Sequence, residues 1–375
     1  MDGQSHFQRA VLIPHKPVET TLNTIIESLA DRIKSAQAHG APLRIRGGGS
    51  KDFYGGLLQG EILDVGGYRG IVDYEPSELV LTARAGTPLA EIESALKERG
   101  QMLAFEPPHF GSTTTFGGCI AAGLSGPRRA YAGSARDFVL GVRLLDGKGD
   151  DLRFGGQVMK NVAGFDVSRL LTGSLGTLGV LLKISVKVLP LPVAETTLRF
   201  EHTAADAIAL LNEWSGKPLP LSASAWRGGE LSVRLSGARA AVDAAVTQLG
   251  GERLDEAGAT AFWQDIREHR DAFFSTAAPL WRLSIKSTTA PLNLPGNQLI
   301  EWGGSLRWLA TNADAATVRE AARFGGGHAT LFRGGDKSAG VFHPLPAAML
   351  AVHRNLKRSF DPAGIFNRGR LYGAF

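Results

Sequence analysis

Apolar residues along the chain follow two periods, one near 3.6 residues and one of two residues. Residues 19–40 show the longer period, which predicts an amphipathic helix that ends at Gly40. The apolar face of this helix consists of Leu22, Ile25, Ile26, Leu29 and Ile33. The shorter period covers residues 180–188, where alternate residues are Val, Leu or Ile, and it predicts a buried strand.

Strand and helix patterns alternate through the first half of the chain. We predict strands over 42–46 and 80–85, followed by a helix with Thr87 as its N-cap, Pro88 at its first position and Gly100 as its stop. Two further strands, 139–145 and 152–154, flank a turn of Asp and Gly residues and predict a hairpin. Residues 1–190 therefore read as an α/β or α+β ligand-binding domain.

The pattern changes near Leu189-Pro190-Leu191-Pro192, where we place a domain boundary. Beyond it we predict strands at 196–201 and 281–285, strand pairs that meet at Gly228-Gly229 and Gly303-Gly304, and helices at 204–215, 238–249, 259–273 and 313–324. This order predicts a smaller cap domain over 191–346, with a mostly antiparallel sheet and helices on one face. A last helix from about 347 opens a C-terminal tail, 347–375, that returns to the first domain. The fold class is α+β.

Composition excludes several classes of function. The 375 residues carry a formal net charge of +5, but the basic residues are scattered, which argues against a nucleic-acid partner. No apolar run approaches the roughly 20 residues of a transmembrane helix, and the N-terminus lacks a signal-peptide pattern. We therefore expect cytoplasmic residence, with peripheral attachment to the inner membrane through partners as an alternative.

A single cysteine, Cys119, limits the redox chemistry that the chain can hold. One cysteine cannot form an intrachain disulfide or a cysteine-based iron–sulfur or zinc site. Its position between Gly118 and Ile120 is typical of a small buried apolar residue. If electrons leave through an iron–sulfur cluster, another chain must carry that cluster.

Three glycine-rich loops are the strongest functional signal. The first follows the strand 42–46 and contains Gly47, Gly48, Gly49, Ser50 and Lys51. Glycines accept a positive φ and leave no Cβ in the way, so successive N–H groups can converge on phosphate oxygens beside a cation. Taken alone, such a loop is more often a simple turn.

The second and third loops change that interpretation. Residues 107–126 are rich in Gly, Ser and Thr and nearly free of charge, and residues 171–180 carry three further glycines that lead into the strand 180–188. Three such loops suggest an elongated ligand with a pyrophosphate and aromatic rings, which is the shape of a dinucleotide. The nicotinamide fingerprint G-x-G-x-x-G and the P-loop are both absent.

The order and spacing of the loops resemble the FAD-binding domain of the vanillyl-alcohol oxidase and p-cresol methylhydroxylase (PCMH-type) flavoprotein family. The resemblance covers residues 19–190 and 347–372, and it implies two α/β subdomains that bind FAD under the cap. It assigns the pyrophosphate to Gly47, Gly48, Gly49, Ser50 and Lys51. It places along the flavin Gly111, Ser112, Thr113, Thr115, Gly117, Gly118, Ala122, Gly123, Ser125 and Gly126. It assigns the third contact to Gly173, Gly176, Thr177, Gly179 and Val180, with Asn367 added from the tail.

Within this family, residues 45–55, 156–166 and 360–371 are similar to the FAD-binding subunits of bacterial glycolate oxidases. The resemblance implies a three-part assembly with a larger FAD-bearing subunit and an iron–sulfur subunit. It also implies oxidation of a small 2-hydroxy acid, glycolate, to glyoxylate.

Two departures from the wider family narrow these expectations. Members that attach flavin covalently through the first loop have a histidine there, and this loop has none, so we predict noncovalent FAD. Stand-alone 2-hydroxy-acid dehydrogenases of the family have a histidine-rich metal motif late in the cap, where this chain has only His328. Since a divalent ion needs several convergent ligands, we predict no metal site. The third loop also has Leu175 where many relatives have glutamate.

Oxidation of a 2-hydroxy acid requires a base for the hydroxyl proton and a cation for the carboxylate. Candidates for the cation are Arg128, Arg129, Lys160 and Arg333, and candidates for the base are His109 and His343. The sequence does not identify the base. Two alternatives stay open: a noncatalytic FAD-bearing assembly or electron-relay subunit, and a self-sufficient oxidase of another 2-hydroxy acid.

Overall fold

The structure, a computed structural model, describes residues 16–156 and 166–375. The elements of the first half are α1 (Lys16–His39), β1 (Leu43–Arg46), β2 (Glu61–Asp64), β3 (Ile71–Glu75), β4 (Val80–Arg84), α2 (Leu89–Glu98), β5 (Gln101–Met102), α3 (Phe116–Ala122), α4 (Arg129–Ala132), α5 (Ala135–Phe138), β6 (Val139–Leu145), β7 (Asp151–Gly155), α6 (Val167–Leu170), β8 (Val180–Lys187) and β9 (Leu189–Pro190).

The second half continues the chain into a separate sheet and the tail. Its elements are β10 (Ala194–Glu201), α7 (Ala204–Ser215), β11 (Leu221–Arg227), β12 (Glu230–Gly237), α8 (Arg239–Leu249), β13 (Glu252–Arg253), α9 (Glu256–Glu268), β14 (Leu280–Ser284), β15 (Asn297–Glu301), β16 (Leu306–Ala310), α10 (Ala315–Phe324), β17 (His328–Arg333) and α11 (Ala347–Phe360). Short 3₁₀ turns lie at Ala272–Phe274 and Trp302–Gly304.

A five-stranded antiparallel sheet organises the first half, in the order β3-β4-β8-β6-β7. The predicted hairpin between β6 and β7 is confirmed. Helix α2 buries Leu89, Ile92 and Leu96 against this core, as its helical spacing predicted. Its predicted N-cap was wrong, because the Thr87 hydroxyl donates to Arg84 O (2.7 Å) and accepts from Gly70 N (2.8 Å). Pro88 is the N-cap instead.

Strand β8 joins this sheet to a second small core. Val180 and Leu182 pack with α1 and the tail, while Ile184 and Val186 pack with α2 and α3. The parallel pair β1 and β2 lies in the second core, and the tail pairs with β1 through Leu43 N to Ile365 O (2.8 Å) and Asn367 N to Leu43 O (2.9 Å). The tail is therefore placed directly behind the first glycine-rich loop.

An eight-stranded sheet, in the order β13-β10-β12-β11-β15-β16-β14-β17, organises the second half. Its strand pairs among the described residues are all antiparallel, which agrees with the predicted, mostly antiparallel sheet. Helix α9 begins three residues before the predicted start, because the Asp255 carboxylate accepts the Gly258 N–H (2.7 Å) and caps the helix. Strand β17 was not predicted, although its residues Ala329, Leu331 and Phe332 are buried. Among the described residues, no helix is both long and apolar enough to cross a membrane.

Candidate active site

The first and second glycine-rich loops touch each other through their backbones. A Cβ added to Gly48 would lie 1.4 Å from the carbonyl oxygen of Thr113, and one added to Gly47 would lie 2.3 Å from Thr115 Oγ1. The Thr113 hydroxyl also donates to Gly48 O (2.7 Å). These positions accept only glycine, and they form a cradle in which backbone groups can approach a ligand closely.

Lys51 supplies a positive charge beside this cradle. Its Nζ donates to Ser50 Oγ (3.3 Å) and to the carbonyl oxygen of His109 (3.1 Å). No carboxylate of the described residues forms an ion pair with it, and burial lowers the pKa of the Lys51 ammonium. A partly desolvated cation that lacks a protein carboxylate is suited to a phosphate oxygen.

The three loops and the tail line one groove, which encloses about 770 Å³ and is partly open to solvent. The predicted cofactor residues in its lining are Gly47, Gly48, Gly49, Ser50, Lys51, Thr115, Gly117, Gly118, Ala122, Gly176, Gly179 and Asn367. Apolar side chains such as Val65, Ala85 and Leu181 complete the wall. The mixture of backbone and apolar surface fits an elongated dinucleotide.

The tail holds the first loop in place. Asn367 Oδ1 accepts from Ile45 N (2.8 Å), and its Nδ2 donates to Leu175 O (2.6 Å), so one side chain links the first and third loops. Arg370 Nη2 donates to the carbonyl oxygens of Lys51 (3.1 Å) and Asp52 (3.0 Å). Arg370 was missed by the sequence reasoning, because no local motif indicates that a residue so distant binds this loop.

Other predicted cofactor residues lie around this groove. Ala122, Gly123, Ser125 and Gly173 line a neighbouring space, and Ser125 and Gly126 line another. Gly111 and Ser112 line neither the groove nor these two spaces.

Thr177 and Val180 do not line the groove. The Thr177 hydroxyl is buried and donates to Ser174 O (2.7 Å), and the fully buried Val180 packs in the core beside α1. Their side chains serve packing, and we do not carry them forward as cofactor contacts.

The space lined by Ala122, Gly123, Ser125 and Gly173 is here called the outer cavity, and it lies between the glycine-rich loops and the cap. It encloses about 1420 Å³, part of it open to solvent. Its polar lining includes Tyr54, Arg129, Arg282, His328, His343 and Tyr372. Arg129 and Arg282 stack on Trp302, with their guanidinium carbons 4.5 and 5.2 Å from the ring centroid. Neither arginine forms an ion pair with a carboxylate of the described residues, and burial lowers the pKa of both guanidinium groups.

Two of the predicted cations are engaged elsewhere. Arg128 forms buried ion pairs with Glu106 (3.3 Å) and Glu195 (2.6 Å), so its prediction as a substrate-binding cation was wrong. Arg333 packs over the rings of Phe53 and Phe110, 5.0 and 5.9 Å from their centroids, and lines neither cavity. Lys160 lies outside the described residues. Of the four candidates, the structure places Arg129 in the outer cavity.

The two predicted bases differ in their surroundings. His109 Nε2 contacts Glu93 Oε2 (2.9 Å), outside the groove and both cavities, so the structure does not support it as a base. His343 lines the outer cavity, where burial lowers its pKa. Its Nδ1 accepts the N–H of Ala329 (3.4 Å), so the neutral ring carries its proton on Nε2 and acts there as a donor.

A small inner cavity lies next to the outer cavity, between the second loop and the cap sheet, and Ser125 and Arg282 line both. Glu301, His269 and Arg282 line it together with Ser125 and Trp308. Burial raises the pKa of Glu301 to about 7, and burial lowers the pKa of His269 well below its usual value. The sequence reasoning missed Arg282, His269 and Glu301, because each lies in a cap element whose local pattern indicates only a strand or a helix end.

Metal ligands do not cluster in the part of the chain that the structure describes. No group of three or more His, Cys, Asp or Glu side chains there could hold an ion. Cys119 is buried, and burial raises the pKa of its thiol to about 12.

The chain is similar to FAD-binding proteins and to glycolate oxidase subunits. A family described as FAD binding domain matches residues 24–155. Glycolate oxidase subunit GlcE of Escherichia coli (strain K12) is 49% identical over 346 residues, which cover 92% of this chain and 97% of that protein. Glycolate oxidase subunit GlcD of Bacillus subtilis (strain 168) is 34% identical over 141 residues, 37% of this chain and 29% of GlcD.

Among solved structures, p-cresol methylhydroxylase with substrate bound aligns with a TM-score of 0.69 at 13% identity, over 93% of this chain and 88% of that one. At this identity the likeness shows the fold alone. The predicted α+β fold with a PCMH-type FAD-binding domain is confirmed.

Proposed function

The chain belongs to the family of glycolate oxidase subunit GlcE and is an FAD-dependent oxidoreductase, and on that premise we propose that it oxidises glycolate to glyoxylate and passes the electrons to an iron–sulfur partner. The observation that carries the substrate part of this proposal is the pair Arg129 and Arg282 in the outer cavity, next to the FAD groove.

The two arginines are suited to the carboxylate of a small 2-hydroxy acid. Both pack over the Trp302 ring, line the same cavity and have no carboxylate partner among the described residues, so an incoming carboxylate meets partly desolvated cations there. The proposed acid site is the part of the outer cavity around Arg129 and Arg282. Ala122 lines both the groove and the outer cavity, so the cofactor site and the acid site are adjacent. When bound, FAD accepts the hydride from the α-carbon of the substrate.

FAD is held without a covalent bond in this proposal. Among the described residues that line the groove there is no histidine, cysteine or tyrosine to attach to the flavin. The pyrophosphate would lie on the cradle of Gly47, Gly48 and Gly49 beside Lys51, because that cradle accepts no Cβ and has an unpaired cation next to it.

The electrons require other chains. The single cysteine is buried and cannot ligate a cluster by itself, so we propose a cytoplasmic assembly with a larger FAD-bearing subunit and an iron–sulfur subunit. The similarity to two glycolate oxidase subunits supports such an assembly.

The experiment compares Arg282→Gln with the wild type by anaerobic visible spectroscopy, on the chain alone and on the assembled complex. The wild type should bind FAD and its 450 nm band should bleach with glycolate. Arg282→Gln should keep its FAD but be reduced about 100-fold more slowly at subsaturating glycolate, because loss of a buried charge partner typically costs about 2–5 kcal/mol. The control is Arg323→Gln, on the exposed end of α10.

Three outcomes would count against the proposal. A chain purified without flavin would remove its basis. Wild-type rates for Arg282→Gln would remove the outer cavity as the acid site. If Arg282→Gln and Gly48→Ala both left the assembled complex fully active, the chain would be a noncatalytic assembly or relay subunit, with the chemistry in the larger subunit.

A further inference from the structure

The inner cavity contains a carboxylate that the proposed function does not yet use. Glu301 ends β15 and is 4% exposed, and it is the only carboxylate among the described residues that line this cavity. Its Oε2 accepts from Trp308 Nε1 (2.7 Å), and its Oε1 has no hydrogen-bond partner among the described residues. A carboxylate oxygen that no protein donor occupies is suited to receive a proton.

Arg282 connects Glu301 to the acid site. It lines both cavities, and its cross-strand neighbours are Trp308 on β16 and Thr330 on β17. Trp308 binds Glu301, and Thr330 lines the outer cavity, so one face of the cap sheet carries the cation and the carboxylate side by side. Arg282 and Glu301 do not form an ion pair within 4.0 Å, which leaves the guanidinium free for another anion.

We propose that Glu301 is the base that accepts the hydroxyl proton of a 2-hydroxy acid whose carboxylate is held by Arg282. The proposal rests on the proposed function. In the balanced step, the C–H bond breaks and its electron pair leaves with the hydride for oxidised FAD. The O–H bond breaks and its proton goes to Oε1 of Glu301, while the carbon and oxygen form the carbonyl of glyoxylate.

The charged and titratable groups that face Glu301 are compatible with this role. Burial raises its pKa to about 7, with Glu106 adding to the rise, while the Trp308 hydrogen bond and Arg282 on β14 oppose it. His269, at the end of α9, has a lowered pKa and is neutral near pH 7. Arg267 of α9 also lines the cavity and pairs with Glu268 (2.8 Å). A base that titrates near the working pH transfers protons efficiently.

The competing bases are less well placed. His343 receives the Ala329 N–H on Nδ1, and His269 Nδ1 faces Arg333 Nη2 (3.5 Å) while its ring stacks on Phe274. His328 lines the outer cavity and is the remaining competitor. His328 is distinguished from Glu301 by the experiments below.

The first experiment measures binding rather than turnover. Oxamate, a 2-hydroxy-acid analogue that cannot give up a hydride, is titrated calorimetrically into the full-length, FAD-loaded chain at pH 7 in two buffers with different ionisation enthalpies. A carboxyl group with a pKa of about 7 is half protonated at this pH, and an anion on Arg282 drives it toward full protonation. We expect uptake of about 0.4 of a proton per bound oxamate in the wild type and none in Glu301→Gln, with affinities within about threefold of each other.

The second experiment measures the pH dependence of flavin reduction by glycolate in the same proteins. The wild-type rate should rise with an inflection near pH 7, because only ionised Glu301 accepts the proton. Glu301→Gln should be reduced about 100-fold more slowly and without that inflection, since general base catalysis typically contributes about 10²–10⁴-fold. The matched control is Glu320→Gln, an exposed glutamate of α10 that should leave both readouts unchanged.

Each outcome separates the two proposals. Oxamate that binds without proton uptake, or an inflection that persists in Glu301→Gln, overturns the role of Glu301 and leaves the proposed function intact. An inflection that disappears in His328→Gln and persists in Glu301→Gln assigns the base to His328. Failure of oxamate to bind, with FAD present, overturns the acid site itself.

Discussion

The FAD groove and the acid site are built by opposite means. The groove is walled by backbone and small residues from three loops and the tail, with Lys51 as a buried cation at one end. The outer cavity is lined by long polar side chains, Arg129, Arg282, His328 and His343, that come from one short helix, two strands and a loop. The difference shows that a large, constant cofactor is held by close backbone approach, whereas a small acid needs a few charged groups at defined positions.

The FAD-binding domain and the cap, which carry these two regions, meet at a buried ion-pair cluster. Glu106, between β5 and α3, accepts from Arg234 on β12 (2.8 Å) and lies 3.3 Å from Arg128, and Glu195 on β10 also contacts Arg128. We expect a variant of this cluster to lower the stability of both regions. A variant of the groove should weaken FAD binding directly, and a variant of the tail should weaken it through the loops that the tail supports.

Glu106→Gln should have the largest effect, because it removes the carboxylate that links the FAD-binding domain to the cap. Removal of one partner of a buried ion pair typically lowers the free energy of unfolding by about 3–5 kcal/mol. Burial alone would raise the pKa of Glu106, but Arg234 and Arg128 hold it below its usual 4.5. Since the folded pKa is the lower one, this stabilisation is present above pH 4.5 and is lost as the pH falls through the folded value.

Denaturant unfolding of wild type and Glu106→Gln at several pH values tests this prediction. The difference between them should be largest near pH 7 and should shrink below about pH 4.5. Glu320→Gln on the exposed face of α10 is the control. A difference that stays constant over this range would mean that the cluster does not hold Glu106 ionised.

Gly48→Ala should damage the FAD groove and leave the cap intact. The new Cβ would lie 1.4 Å from Thr113 O, so the first or second loop must move. Such overpacking typically costs about 1–3 kcal/mol, and we expect FAD to bind about 100-fold more weakly. Fluorimetric titration of the deflavinated protein with FAD measures the change. Gly373→Ala, whose Cβ meets nothing within 4 Å, is the control, and equal affinity of the two variants would contradict the cradle.

Asn367→Asp should have the smallest effect, acting on the groove from the tail. The variant keeps an acceptor for Ile45 N but loses the Nδ2 donor and faces the Leu175 carbonyl oxygen with an oxygen. Loss of one buried hydrogen bond typically costs about 1–3 kcal/mol, which predicts FAD affinity lower by about tenfold. The same titration checks it, with Asn355→Asp on the exposed face of α11 as the control. Unchanged affinity would show that the tail does not support the loops.

Local patterns were sufficient for most helices and strands and for the cofactor loops. The apolar spacing of α2 and β8 and the hairpin between β6 and β7 follow from neighbouring residues, because period and turn chemistry are local properties. The cap of α2 was misassigned, since the Thr87 hydroxyl has partners from a preceding turn rather than from its own helix. Thr177 and Val180 were assigned by their place in the third loop, and their side chains turn into the core instead.

Three clusters of glycines were enough to predict a dinucleotide site from the sequence, because the close backbone approach that such a site needs is written in consecutive residues. Which charged side chains face that site follows from the fold and not from any local pattern. Arg128 and Arg129 are adjacent in the chain, yet the first is held by two glutamates and the second lines the outer cavity. Arg282 and Glu301 lie on separate strands of the cap and meet through Trp308. The pairing register of an antiparallel sheet sets which side chains share a face, and no local pattern carries that information.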